Sequence, residues 1–169
     1  ASSAASDVYK RQIVAGLQEC SDDNKQSLMT TVNNLYANGA TYADSGMDSA
    51  KTVLSGSRDN AKKVVIFFTD GEPNHGNGFD GSVANDVIGT AKELKDDKAL
   101  IYTIGIFEGA NPNGNNDVNN YMNAMSSNYP QAKDYDDLGQ RVSEEAAYYK
   151  VADNADALNN ICLLYTSPS

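Results

Sequence analysis

The chain has 169 residues, of which 40% are hydrophobic and 21% charged, with a formal net charge of −10. That is the length of about one domain, with apolar residues enough for a real core. The acidic balance argues against nucleic acid or an anionic membrane as partner, since both require basic patches. No run approaches the roughly 20 apolar residues of a membrane span.

The two ends read as foreign to the domain. One back-translation of Asp7-Val8-Tyr9-Lys10-Arg11-Gln12, taken as its reverse complement one base out of frame, encodes Cys-Leu-Leu-Tyr-Thr. The chain closes with Cys162-Leu163-Leu164-Tyr165-Thr166-Ser167. Residues 1–12 and 162–169 thus resemble translated sequencing-adaptor sequence and are set aside from fold reasoning. The domain proper is residues 13–161. Cys20 is then a lone thiol, expected to be a small, half-buried residue rather than a catalytic one.

In chain order, Asp22 and Asp23 are placed to cap a helix over residues 24–37. Leu28, Val32 and Leu35 share its inner face. Asn38-Gly39 stops it, and a polar loop runs from Ala40 to Gly46. A second helix over 46–54 is expected to bury Met47, Ala50, Val53 and Leu54. Lys62 to Thr69 is a continuous apolar and β-branched run, which predicts a parallel strand covered on both faces. A Gly/Asn-rich loop spans 71–81. The helix after it, opening at Ser82, turns Val83, Val87, Ile88, Ala91 and Leu94 inward. A second buried strand is expected over 99–107, then a flexible loop over 111–116. Val118, Tyr121, Met122 and Met125 mark a short helix. Residues 126–145 read mostly as loop, Tyr148 to Ala152 as a third strand, and residues 154–161 as a last helix. The tyrosines are expected to cover strand and helix surfaces.

Strands alternating with amphipathic helices specify an α/β fold, Rossmann-like, with a mostly parallel sheet. Ligands bind such sheets at the carboxyl ends of the strands. Asp70 stands at that end of the Val64 strand, so it is the prime site residue on geometry alone.

The residues here carry a specific resemblance. Gly39-Ala40-Thr41, Gly46, Ala50 and then Val64-Val65-Ile66-Phe67-Phe68-Thr69-Asp70-Gly71-Glu72-Pro73 look like the central half of von Willebrand factor A-type (VWA) domains. Ile101-Tyr102-Thr103-Ile104-Gly105-Ile106 looks like their next strand. Tyr121 to Pro130 and Tyr148 to Ala152 are similar to the VWA domains of Gram-positive surface and pilus-tip adhesins. The resemblance implies a metal-ion-dependent adhesion site holding Mg²⁺ or Mn²⁺, with Thr41 as the second-loop ligand and Asp70 as the third-loop ligand. It further implies a protein partner that supplies a carboxylate to the metal, and a place on the bacterial cell surface, associated with the cell wall.

One element of the family pattern does not appear. The Asp-x-Ser-x-Ser motif that follows the first strand is not found in residues 13–161. The expectation is an incomplete VWA domain, lacking that strand, whose Thr41 and Asp70 bind metal weakly if at all. An edge exposed in this way would make the fragment unstable or aggregation-prone.

Other readings of these residues are weaker. Glu72, Asn74 and His75 lie in a loop able to touch a ligand, although a mobile surface place is the plainer reading for His75, the chain's one histidine. Asp44 reads as a solvated loop carboxylate. An EF-hand reading of Asp70-x-Glu72-x-Asn74 fails, because His75 and Gly81 stand where Gly and Glu are needed. No Ser/His/Asp set, Cys/His pair or phosphate-cradling loop is evident, so the chain reads as a binding module and not an enzyme. The alternatives are a metal-dependent phosphoryl-transfer or hydrolase domain using Asp70, with Glu108 its one nearby carboxylate, and an intracellular VWA scaffold.

Overall fold

The computed structural model describes residues 13–35, 42–76, 78–142 and 147–166. Eight elements follow in chain order. They are α1 (Asp22–Asn33), α2 (Ala43–Ser55), β1 (Val64–Thr69), α3 (Gly81–Asp96), β2 (Leu100–Gly105), α4 (Asp117–Met125), β3 (Tyr149–Val151) and α5 (Ala155–Thr166). The strands form one parallel sheet in the order β1-β2-β3, with Val65 opposite Ile101 and Thr103 opposite Tyr149. The α/β class is therefore as expected. Residues 1–12 and 167–169 lie outside the described residues, and α5 runs past Ile161 to Thr166.

The core lies on one face of the sheet. Val65 and Ile101 point into it, against Met47 of α2, Val83, Val87, Ile88 and Ala91 of α3, and Tyr121, Met122 and Met125 of α4. The inward stripe of α3 matches the sequence pattern residue for residue, with Ala84 added. Asp80 caps this helix, its carboxylate accepting from the N–H groups of Ser82 and Val83, so it starts one residue earlier than expected. Ser21 caps α1, its Oγ accepting from the Asn24 N–H at 3.2 Å. Asp22 and Asp23 sit instead in the first turn, where their charges complement the helix dipole.

The other face is thinly covered. Ile104, Ala152 and Ile161 form a small cluster there with Ala157 and Leu158 of α5. Beyond it, Val64, Ile66 and Phe68 of β1 are 40%, 39% and 45% exposed. The expected burial of this strand on both faces is thus corrected to one face. An apolar run reports that a strand prefers two covers, and cannot report whether a second cover is there. The inner face assigned to α1 is corrected for the same reason: Leu28, Val32 and Leu35 are all exposed, and the helix buries no residue. Cys20 is likewise exposed, not half-buried.

Two devices hold α4 in place. The first is Lys95, whose ammonium donates to the carbonyls of Ala124 at 2.7 Å, Tyr129 at 2.9 Å and Ser126 at 3.3 Å. It closes the end of α4, where helix carbonyls have no partner of their own. Burial, with Lys92 adding to it and Asp96 opposing, brings the Lys95 amine down to about 8. The second is Asn119, fully buried at the start of α4. Its Oδ1 accepts from the Asn111 N–H at 2.9 Å and the Tyr149 hydroxyl at 2.7 Å, while its Nδ2 donates to Gly109 O at 3.0 Å. The loop expected to be flexible over 111–116 is in fact tied down by this side chain and by Asn116, which caps α4. Gly114 is required there, since a Cβ would come within 2.5 Å of Asn119 Nδ2.

Tyr121 and Tyr149 are among the largest fully buried side chains, a correction to their expected surface place. Their alternating or helical positions face the core, and each ring is large enough to fill it. Burial pushes the Tyr149 hydroxyl up to about 12 from 10.0, opposed by an Asn111 backbone hydrogen bond. It raises Tyr121 also, with the Asp44 charge adding to the effect. A raised folded-state value means that the unfolded chain loses the proton first. The stabilisation is therefore complete below pH 10 and lost progressively between 10 and about 12. Denaturant midpoints followed by fluorescence should fall across that window, and Tyr149→Phe should flatten the fall. A midpoint that is level from pH 9 to 12 would contradict the burial argument.

Candidate metal and ligand site

Asp70 follows directly on Thr69, the last residue of β1. Thr69 is buried and its hydroxyl fastens the turn, donating to Gly71 O at 2.9 Å and accepting from the Gly71 N–H at 3.2 Å. Thr69 O accepts from the Ile106 N–H at 2.8 Å, which ties this turn to the end of β2. Asp70 is thereby presented at the carboxyl end of the sheet. It is exposed, and no described residue hydrogen-bonds its carboxylate.

The loop beyond it folds back on itself and onto α2. The Asp80 N–H donates to Pro73 O at 2.9 Å and closes the loop. His75 Nε2 lies 3.1 Å from both carboxylate oxygens of Asp44, and its ring stacks on Tyr42 at 4.8 Å. His75 is exposed, as expected of a surface residue, while Asp44, expected in a loop, stands in the first turn of α2 and pairs with it. Burial pushes the Asp44 carboxyl up, but hydrogen bonds from His75 and the Ser45 N–H, with the His75 charge, outweigh it and hold the group below its usual range. Thr41 itself lies outside the described residues. Its neighbour Tyr42, however, is held against the loop that begins at Asp70.

A cleft of about 470 Å³ opens between the ends of β1 and β2, lined by Glu72, Phe79, Phe107, Glu108 and Asp117 among others. Gly105 lets β2 end beneath it, since a Cβ there would meet Phe107 at 2.9 Å and Ala110 at 3.0 Å. Of the three predicted loop residues, Glu72 lines this cleft. His75 is turned to Asp44, and Asn74 donates to Glu72 O at 3.0 Å while its Oδ1 is buried with no partner among the described residues. Sequence reasoning missed Phe79, Asp117 and Tyr42. The adjacency of Tyr42 to Thr41 was its only clue.

A family model for the von Willebrand factor type A domain matches residues 5–160. The chain belongs to this family. The match begins within the first twelve residues, which sequence reasoning had set apart. No curated protein matches the chain significantly.

VWA domains mediate protein interactions and often bind a divalent metal. Mg²⁺ asks for about six oxygen ligands, several of them waters. Among the described residues of this VWA domain, no three of His, Cys, Asp and Glu gather closely enough to hold an ion. Asp70 stands alone, with Glu72 and Glu108 set around the neighbouring cleft. The described set does not by itself fit a closed metal site. No described helix is long and apolar enough to cross a membrane.

Proposed function

We propose that this VWA domain is the metal-ion-dependent, protein-binding module of a bacterial surface protein, with its binding face at the carboxyl end of the sheet. The observation that carries the reading is the joining of the two candidate loops. His75, five residues past Asp70, is held by Tyr42 and Asp44, one and three residues past Thr41. Thr41 and Asp70 would be the chain's own ligands to Mg²⁺ or Mn²⁺, and a neutral threonine hydroxyl leaves such an ion able to accept a carboxylate from a partner protein. The bacterial, cell-surface part of the proposal rests on the sequence likeness to Gram-positive adhesins.

A binding role is also favoured over an enzymatic one. Among the described residues the single histidine hydrogen-bonds Asp44 and no Ser, Thr or Cys, so no nucleophile is paired with it as the base of an activated nucleophile would be. With two protein ligands the expected metal affinity is weak. Paramagnetic Mn²⁺ should therefore broaden the amide resonances of residues 69–72 selectively, and Asp70→Ala should remove the effect. Broadening spread evenly over the acidic surface, or unchanged in Asp70→Ala, would refute the assignment.

A further inference from the structure

Every charged side chain around the cleft between the ends of β1 and β2 is acidic. Glu72 follows β1, Glu108 follows β2, Asp117 opens α4, and no Lys or Arg lines the cleft. Elsewhere on the chain carboxylates are partnered: Glu93 by Lys51, Asp97 by Lys63, Asp96 by Lys92 and Asp137 by Lys133. Among the described residues no such ion pair involves Glu72, Glu108 or Asp117. Like charges set around one cleft repel each other, and a cation brought among them relieves that repulsion.

The walls of the cleft are apolar and fixed. Phe79 is held edge-on by Tyr135, with ring centroids 5.1 Å apart, and by Tyr121 at 6.3 Å. Phe107 lies against the end of β2, where Gly105 leaves room for its ring. The turn that carries Glu108 is closed by the Ala110 N–H donating to Phe107 O at 3.1 Å, and Gly109 takes φ +84° there. Asn116 caps α4 and so fixes the first turn, in which Asp117 stands. Rings and carboxylates thus stand on backbone already in place, which lowers the cost of ordering them around a ligand.

The lining selects the occupant. An anion is repelled by these carboxylates and by a chain of net charge −10. A bare metal ion needs its ligands gathered around one point, and among the described residues no three of His, Cys, Asp and Glu are so gathered. An arginine side chain suits both parts of the lining. Its apolar stem covers phenyl and valine surface, its planar guanidinium stacks on aromatic rings, and its fork of N–H donors spreads over more than one carboxylate. The compact ammonium of lysine reaches fewer of them at once. The volume of about 470 Å³ is within the range of roughly 300–1,000 Å³ of ligand pockets. We infer that the partner protein places an arginine side chain in this cleft, beside the carboxylate that it gives to the metal. The inference rests on the reading of the domain as a protein-binding module, and adds to it the second side chain by which the partner is recognised.

Amide NMR shifts of the chain as it is, in EDTA and at low ionic strength, test the inference with blocked tripeptides at millimolar concentration. Gly-Arg-Gly is expected to shift Gly71, Glu108, Gly109 and Asp117, Gly-Lys-Gly to bind more weakly, and Gly-citrulline-Gly, which keeps the shape without the charge, to leave them in place. Glu108→Gln combined with Asp117→Asn is expected to weaken the arginine peptide about fivefold or more, the sum of two exposed ion pairs. Asp86→Asn, which removes a carboxylate of α3 outside the cleft, is expected to leave it unchanged. The inference is overturned if the arginine peptide gives no shift, or if citrulline or lysine binds as tightly. Shifts spread over the whole acidic surface, Asp86 included, overturn it too, as does binding that survives the double substitution in a chain whose near-UV circular dichroism is unaltered. The peptide comparison needs no variant, so it decides alone if the double substitution unfolds the chain. EDTA removes divalent ions throughout, so failure here leaves the metal reading untouched, and failure of the Mn²⁺ experiment leaves this one standing.

Discussion

Asn119→Ala should lower the stability of the domain by about 3–5 kcal/mol, because it strands three partners at once. The Tyr149 hydroxyl and the Asn111 N–H lose their shared acceptor, and Gly109 O loses its donor. The Tyr149 hydroxyl is buried, where an unpaired group costs roughly 1–3 kcal/mol, and the other two bonds are part-buried. Tyr149→Phe removes one partner and leaves Asn119 Oδ1 still accepting from Asn111, so about 1 kcal/mol is expected from it. Urea unfolding of the two variants beside the parent chain gives the comparison. Equal losses in both would mean that Asn119 is an ordinary buried residue and not the joint between β3, the 107–116 loop and α4.

The second large effect is expected in self-association. β1 is an edge of the sheet, and no described residue pairs with its free side. Its outer face carries exposed Val64, Ile66 and Phe68. An edge that is long, flat and apolar invites pairing with a second chain. The parent chain should therefore associate with rising concentration and melt irreversibly. Ile66→Lys places a charge on that face without touching the core face of Val65 and Phe67, and should slow the growth of light scattering several-fold or more. A parent chain that stays monomeric and melts reversibly and cooperatively would sink this expectation. So would an Ile66→Lys chain that aggregates as fast as the parent.

The two sets of residues differ in what could be foreseen of them. Val83, Val87, Ile88, Ala91 and Leu94 were legible as a buried face because helical spacing repeats every 3.6 residues, and α3 has the core on one side only. The same arithmetic gave Leu28, Val32 and Leu35 of α1, and there it failed. Periodicity tells which face of a helix is apolar, while burial needs a second surface to meet it. Asn119 gave no signal at all. In the sequence it is one asparagine among the many of residues 111–128, and its role depends on Gly109, Asn111 and Tyr149 arriving from three directions.

The site divides along the same line. By itself the sequence determined the α/β class, the parallel strand that ends in Thr69 and Asp70, and the family to which the chain belongs, because these depend on local pattern and on contiguous motif. Only the tertiary structure decided that His75 pairs with Asp44 and that Glu72 but not Asn74 or His75 lines the cleft. Those facts join residues 31 apart in the case of His75 and Asp44. They depend on which loops the parallel β1–β2 pairing and the packing of α2 against α3 bring to one end of the sheet. A hydrogen bond fixes such a pair through a distance and an angle in space, and neither is written in the order of the residues.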